Sequence, residues 1–253
     1  MIHSIKKAFV ILEILAVSGK AYSLTDLSQT TSLNQNTLRS ILTTLIELGY
    51  VKQETKRGTY DLSSRVLLLT KGLSNQNALK RIIDSFFWNL HIKSGGEAVY
   101  ANMVSGLQLI PLHQIESDHS LVIRNVNYIS RELLATTAQG KILLANLPDE
   151  VCREFLKNQK ISRLASNTIL DPETVLASLR QIKKENIATN ISETEEGLAA
   201  AASGVFDSDN RLIATIAVQG PQVRMTAEKL ESIKVLIRDV ASEITQKLKG
   251  EVL

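Results

Sequence analysis

Residues 23–50 read SLTDLSQTTSLNQNTLRSILTTLIELGY, and this stretch decides the fold of the chain's first third. Ser23-Leu24-Thr25-Asp26 opens a short helix reaching about Thr31, with Leu24, Leu27 and Ser28 facing inward. Thr31-Ser32-Leu33 forms a tight turn. The short polar side chain of Asn34 then suits the cap of a second helix, where it can accept from an unpaired backbone N–H. That helix runs from about Gln35 to Leu48. Leu38, Ile41, Leu42, Leu45 and Ile46 recur at intervals of three and four, the helical period, and Gly49 ends it. Two short helices joined by a turn of about three residues make a helix-turn-helix.

The outward face of the second helix carries Gln35, Asn36, Thr37, Arg39, Ser40 and Thr43. These are short or planar polar groups, not the Lys/Glu mixture of an ordinary solvated face. Asn and Gln can pair with adenine edges, Arg with guanine, and Ser or Thr with bases or phosphates. A plain solvated face is the competing reading, and the segment directly behind the helix weighs against it. Tyr50–Glu54 and Thr59–Leu62 read as two short strands around the basic turn Thr55-Lys56-Arg57-Gly58. A hairpin directly behind a recognition helix is a wing, and Lys56 and Arg57 at its tip would meet phosphates. Upstream, Ile5, Ala8, Phe9, Leu12, Leu15 and Ala16 place an amphipathic helix over about 4–17, stopped near Gly19. Residues 1–63 are therefore expected to form a winged helix-turn-helix DNA-binding domain.

The charge divides at the same place. The first 75 residues hold nine Lys and Arg against five Asp and Glu, while the rest of the chain holds 20 against 21. A basic module on a near-neutral remainder fits a polyanion partner, although the net charge of +3 alone would not single one out. With 253 residues, 44% of them hydrophobic, and only 4 Pro and 12 Gly, the chain can bury a sizeable core. That excludes a disordered or collagen-like protein. The single cysteine, Cys152, excludes an internal disulfide framework and points to a reducing compartment. No apolar run approaches the roughly 18 residues of a membrane span. Glu13 interrupts the N-terminal apolar stretch, which reads as a helix of a cytoplasmic protein and not as a signal peptide.

From Ser64 to about Lys93 the pattern is helical again. Arg65-Val66-Leu67-Leu68-Leu69 is followed by a weak break over Gly72 to Asn77, then by Leu79, Ile82, Ile83, Phe86, Phe87 and Leu90. Residues 64–95 are expected to be a helical linker. Its several apolar faces fit a dimer seam or burial against its own C-terminal domain, and both readings stand. Gly95-Gly96 marks the start of a second domain, 96–253. There the strands expected are Ala98–Ala101, Leu107–Leu112, 187–192, 199–206 and 212–219. Helices are expected over about 137–146, 149–157, 172–186 and 226–248. Such a mixture predicts an α+β domain, one sheet flanked by helices.

Taken together, these stretches resemble the IclR family of bacterial transcription regulators, from Ser4 to about Ile244. The resemblance rests on SIKKAFVILEILA from Ser4, LTDLSQTTSLNQNTLRSILTTLIELGYV from Leu24, and the wing ending in Tyr60-Asp61-Leu62. It continues in LLATTAQGKILLANLP at 133–148, EEGLAAAASGVFD at 195–207 and IAVQGPQVRMT at 216–226. It implies a dimer or tetramer on a palindromic double-stranded DNA operator, and a GAF-like C-terminal domain holding a small, often carboxylate-bearing metabolite. By position it also implies a pocket lined by Thr137, Ala138, Gln139 and Gly140, with Asn190, Leu198, Ala200, Ala217 and Gln219 on strands and Arg124 at a wall. Here the chain departs from the family pattern. Many relatives have Asp where Asn190 stands, Cys at Ala200, small hydroxyls at Ala217 and Gln219, and His at Ala135. The effector is therefore not to be copied from a well-known member. Amide groups at a helix N-terminus still favour an anion. Arg124 strengthens that preference if it points inward, a surface arginine being the alternative.

Other chemistry is weaker. Thr136–Lys141 resembles a phosphate loop but lacks its leading Gly, and Ile142 stands where Ser or Thr should come after the Lys. His113 and His119, with Glu116 and Asp118 between them, lack a rigid ligand spacing and read as a solvated turn. Cys152 has no histidine placed by sequence to activate it. No enzyme activity, cofactor, metal or membrane partner is expected. The alternative function is a metabolite-binding or catalytic protein whose N-terminal domain serves protein contacts.

Overall fold

The computed structural model describes residues 2–53, 58–70, 74–122, 129–159 and 161–250. It falls into two units, Met1–Ser74 and Asn75–Leu253. In the first, α1 (His3–Ser18), α2 (Leu24–Thr31) and α3 (Gln35–Glu47) precede a hairpin of β1 (Val51–Gln53) and β2 (Tyr60–Leu62). Ser23 and Asp26 form a reciprocal capping box at the start of α2, with Asp26 N donating to Ser23 Oγ at 3.2 Å. Ser32, at φ 55°, turns the chain out of α2. Thr37 N donates to Asn34 Oδ1 at 2.8 Å, the cap expected for α3.

Ile11, Leu15, Leu27, Leu38, Leu42, Leu45 and Val51 build this unit's core. The packed face of α1 centres on Ile11 and Leu15, which rotates Ile5 and Phe9 outward to 52% and 55% exposure. The periodic stripe read from sequence is thus only partly the buried one, because α1 is apolar on two sides. Val51 pairs with Leu62 and Gln53 with Tyr60 in the hairpin, and Tyr60 also exchanges backbone hydrogen bonds with Tyr22. Lys56 and Arg57, expected at the wing tip, lie outside the described residues. A 3-10 helix over Ser64–Thr70 follows.

The second unit contains α4 (Ser74–Lys93, entering at Asn75), β3 (Ala98–Ser105), β4 (Gln108–Ile115), α5 (Ala138–Ala145), α6 (Asp149–Asn158) and α7 (Pro172–Glu185). It ends with β5 (Ala188–Ile191), β6 (Leu198–Phe206), β7 (Leu212–Pro221) and α8 (Ala227–Gly250). The five strands form one antiparallel sheet in the order β4-β3-β7-β6-β5. Strand alternation sends Val99, Ala101, Ala199, Ala201, Ile216 and Val218 to one face, against Ile83, Phe87 and Leu90 of α4 and Ile233, Ile237 and Ile244 of α8. The other face carries Ala200, Ala202 and Ala217 and packs Ile142, Leu143, Phe155, Val175 and Leu179 of α5–α7. Its short side chains let α5 lie close to the sheet.

The stretch expected as a linker, 64–95, therefore divides between the units. The 3-10 helix belongs to the first, while α4 encloses Leu79, Ile82, Ile83, Phe87 and Leu90 in the second core. Fully burying each such side chain contributes about 1.5–3 kcal/mol, which fixes α4 as an outer layer of that unit. Trp88 and Ile92, 61% and 58% exposed, are not part of the packed face.

Candidate functional site

On α3, Gln35, Asn36, Arg39, Ser40 and Thr43 are exposed and Thr37 is half-buried, while Leu38, Leu42 and Leu45 hold the opposite face in the core. Ser40 Oγ donates to Asn36 O at 3.1 Å and so lies along the helix. Arg39 has no hydrogen-bond or ion-pair partner among the described residues. Its five N–H donors stand free for an external acceptor. Lys52 pairs with Asp61 at 3.2 Å across the hairpin.

A small cleft of about 60 Å³ opens on the alanine-bearing face of the sheet, at the start of α5. Register explains its composition. Asn190 pairs with Ala200 and Ala200 with Gln219, so these three form one row across β5, β6 and β7, while Ala217 faces Tyr100 of β3. Thr137, Ala138 and Gln139 come from the cap and first turn of α5, and Leu198 from β6. Of the ten residues expected around an effector, these eight line the cleft: Thr137, Ala138, Gln139, Asn190, Leu198, Ala200, Ala217 and Gln219. Gly140 is buried beside them against Leu134. An added Cβ there would fall 2.5 Å from Leu134 Cα and 2.6 Å from Thr137 Oγ1. Arg124 lies outside the described residues.

Sequence reasoning missed the wall from β3 and β4, formed by Tyr100, Asn102, Pro111, His113 and Gln114. It also missed Ile129, Leu133, and Thr194 and Glu195 in the loop before β6. The missing signal was register. Ala217 pairs with Tyr100 and Thr215 with Asn102, so the residues on β7 determine their neighbours on β3.

The polar groups around the cleft are held in specific roles. Thr137 Oγ1 accepts from Gly140 N at 3.1 Å and donates to Leu133 O at 3.0 Å. The N–H groups of Ala138 and Gln139, in the same turn, have no partner among the described residues. Asn190 Oδ1 accepts from Glu193 N at 3.0 Å, and its Nδ2 donates to Thr194 Oγ1, which in turn donates to Thr136 O. Lys141 Nζ reaches Glu193 Oε1 at 2.6 Å, and Thr168 Oγ1 donates to Glu193 O at 2.7 Å. The loop before β6 is thereby tied to α5. Burial pushes the Lys141 ammonium pKa down and the Glu193 carboxyl pKa up, each change opposed by the partner's charge.

His113 Nδ1 lies 3.1 Å from Asp84 Oδ1, and His119 Nε2 lies 2.9 Å from Gly95 O, so the two histidines have separate partners. Among the described residues no group of three metal-ligating side chains converges.

Residues 4–55 match the IclR helix-turn-helix domain, and residues 72–246 match the bacterial transcriptional regulator IclR C-terminal domain. The chain belongs to the IclR family. It is similar to the HTH-type transcriptional regulator KdgR of Escherichia coli K12, 27% identical over 249 residues that cover 98% of this chain and 93% of that one. It is also similar to the probable transcriptional regulator SauR of Cupriavidus necator, 29% identical over 240 residues covering 95% and 94%. Among solved structures, an IclR homolog from Microbacterium hydrocarbonoxydans complexed with 4-hydroxybenzoate shares the fold. Its TM-score is 0.78 at 18% identity, over 98% of this chain and 100% of that one. As an IclR-type protein, this chain is a transcriptional regulator with a DNA-binding helix-turn-helix domain and a C-terminal effector-binding domain. Both of these relatives are named as transcriptional regulators, SauR as a probable one. No described helix is long and apolar enough to cross a membrane.

Proposed function

We propose that this IclR-type regulator binds a palindromic operator as a homodimer or tetramer in the cytoplasm, without catalytic activity, and responds to a small carboxylate-bearing metabolite. Gln35, Asn36, Thr37, Arg39, Ser40 and Thr43 read bases or sugar-phosphate edges, and Lys56 and Arg57 grip phosphates. The effector's carboxylate takes the cleft at the start of α5. One observation carries this reading: the Ala138 and Gln139 N–H groups, on residues that line the cleft, are unpaired among the described residues. Such donors, with the helix dipole behind them, favour an anion. The 4-hydroxybenzoate bound by the structural neighbour is a carboxylate, which supports the same assignment. Arg124 adds to the attraction if it turns into the cleft. Effector binding controls DNA only insofar as it favours one arrangement of the two half-site readers over another.

The test is fluorescence anisotropy of a labelled duplex from upstream of the protein's own gene, beside a scrambled duplex, across a salt series. The expected result is preference for the native duplex and affinity falling steeply with salt. Added small carboxylates should shift the native curve alone. Equal binding to both duplexes with a flat salt response would sink the proposal.

A further inference from the structure

We infer that the effector carries hydrogen-bond donors away from its anionic end: it is a short hydroxylated or aminated acid, not a plain alkyl or aryl acid. The inference rests on the proposed carboxylate effector and deepens it. Its source is the direction of one buried chain of hydrogen bonds. The Thr215 carbonyl oxygen can only accept. Gln139 therefore turns Nε2 toward it, at 3.3 Å, and presents Oε1 on its other side. Asn102 must then donate through Nδ2 to that Oε1, at 2.8 Å. Asn102 Oδ1 is left as the free end of the chain, and it is an acceptor.

Asn102 is only 7% exposed, lines the cleft, and has no partner for Oδ1 among the described residues. That oxygen belongs to a residue that lines the cleft. A carbonyl taken from bulk water and offered no donor is unfavourable, and a ligand hydroxyl or amine removes the deficit. Three further side chains add acceptors or offer no free donor. Glu195, at the cleft's rim, only accepts and has no ion-pair partner among the described residues. The Thr137 and Thr194 hydroxyls already donate to Leu133 O and Thr136 O. No Lys or Arg lines the cleft among the described residues. The α5 amides offer donors, while Asn102 Oδ1 and the Glu195 carboxylate offer acceptors. A molecule matching both has an anion at one end and donors along its body.

The experiment is calorimetric titration of the full-length protein with matched acids: glycerate against propanoate, and gluconate against hexanoate. Glycerol and glucitol supply the donors without the carboxylate. A hydroxylated acid should bind at least about tenfold more tightly than its alkyl partner in one pair. Asn102→Ala should reduce that ratio several-fold. Glu195→Ala, at an exposed position, should reduce it in the same sense, and serves if Asn102→Ala does not fold. Equal binding within both pairs, or tighter binding of the alkyl acids, overturns the inference. Glycerol or glucitol binding as tightly as its acid would refute the carboxylate assignment and leave standing only the requirement for donors.

Discussion

Lys141 Nζ and Glu193 Oε1 lie 2.6 Å apart with their side chains 6% and 10% exposed, joining α5 to the loop that carries Thr194 and Glu195. Glu193 Oε2 is enclosed with no partner among the described residues, so only one oxygen of the carboxylate is paired there. Burial opposes the charged form of both groups. The pair therefore determines where the loop sits more than it adds to stability.

Removing one partner leaves an uncompensated buried charge, and removing both does not. Lys141→Met should cost about 3–5 kcal/mol in urea unfolding, and the double variant Lys141→Met, Glu193→Leu should recover most of that loss. A double variant as unstable as the single one would show that the two residues do not act as a unit.

Glu97 supplies a pH signature. Its buried carboxylate accepts from Arg224 Nε and Nη2 at 2.9 and 2.8 Å and from Lys229 Nζ at 3.0 Å. Burial alone would raise its pKa, but the two cations outweigh it and hold the group below its ordinary value of 4.5. A depressed carboxylate stabilises the fold above the unfolded pKa and loses that contribution as pH falls through the folded one. Glu97→Gln should therefore be less stable at neutral pH, by roughly 1–3 kcal/mol. The gap should close as the pH drops below 4.5 toward the folded value. Urea midpoints measured from pH 7 down to pH 3 check this, and a gap independent of pH would refute the electrostatic account.

Much of this molecule was legible in the sequence because its signals are local. Asn34 caps the helix it was expected to cap and Ser23 opens the helix where the sequence placed its start, while Ala200, Ala217 and Gln219 came to the cleft by the family resemblance. Asn102 and Tyr100 were not legible as cleft residues. Their place depends on β3 pairing with β7, which is distant in the chain and leaves no trace in local periodicity. Helix α4 fits the same account. Its apolar residues announced burial, but which surface they would meet is decided by the sheet and not by the helix.

Gly140 is required for close packing, not for an unusual backbone angle. Gly140→Ala would place a methyl against the Leu134 backbone and force the first turn of α5 away from its cap. The variant should lose effector binding, and its melting temperature should fall by several degrees, the shift that about 1–3 kcal/mol of overpacking produces in a chain this size. Unchanged stability together with unchanged ligand affinity would mean that the turn tolerates the methyl.

Cys152 is buried on α6, and burial, assisted by Asp149, pushes its thiol pKa up. The reactive thiolate is thereby suppressed. A thiol reagent at neutral pH should label the folded protein far more slowly than the urea-unfolded protein. Equal rates would indicate that α6 opens readily.

Arg39 and Lys56 should fail in different ways. Arg39 projects from α3 with its guanidinium unpaired among the described residues, so Arg39→Ala should cost about 1–3 kcal/mol on the preferred operator and much less where its base is changed. Lys56→Ala, if the wing contacts only phosphates, should weaken every duplex alike and lower the slope of log affinity against log salt by about 1. The contrast requires both variants on both duplexes, measured across salt. If Arg39→Ala weakened native and base-substituted operators equally, Arg39 would be a backbone contact, and base reading would pass to Asn36 and its neighbours on α3.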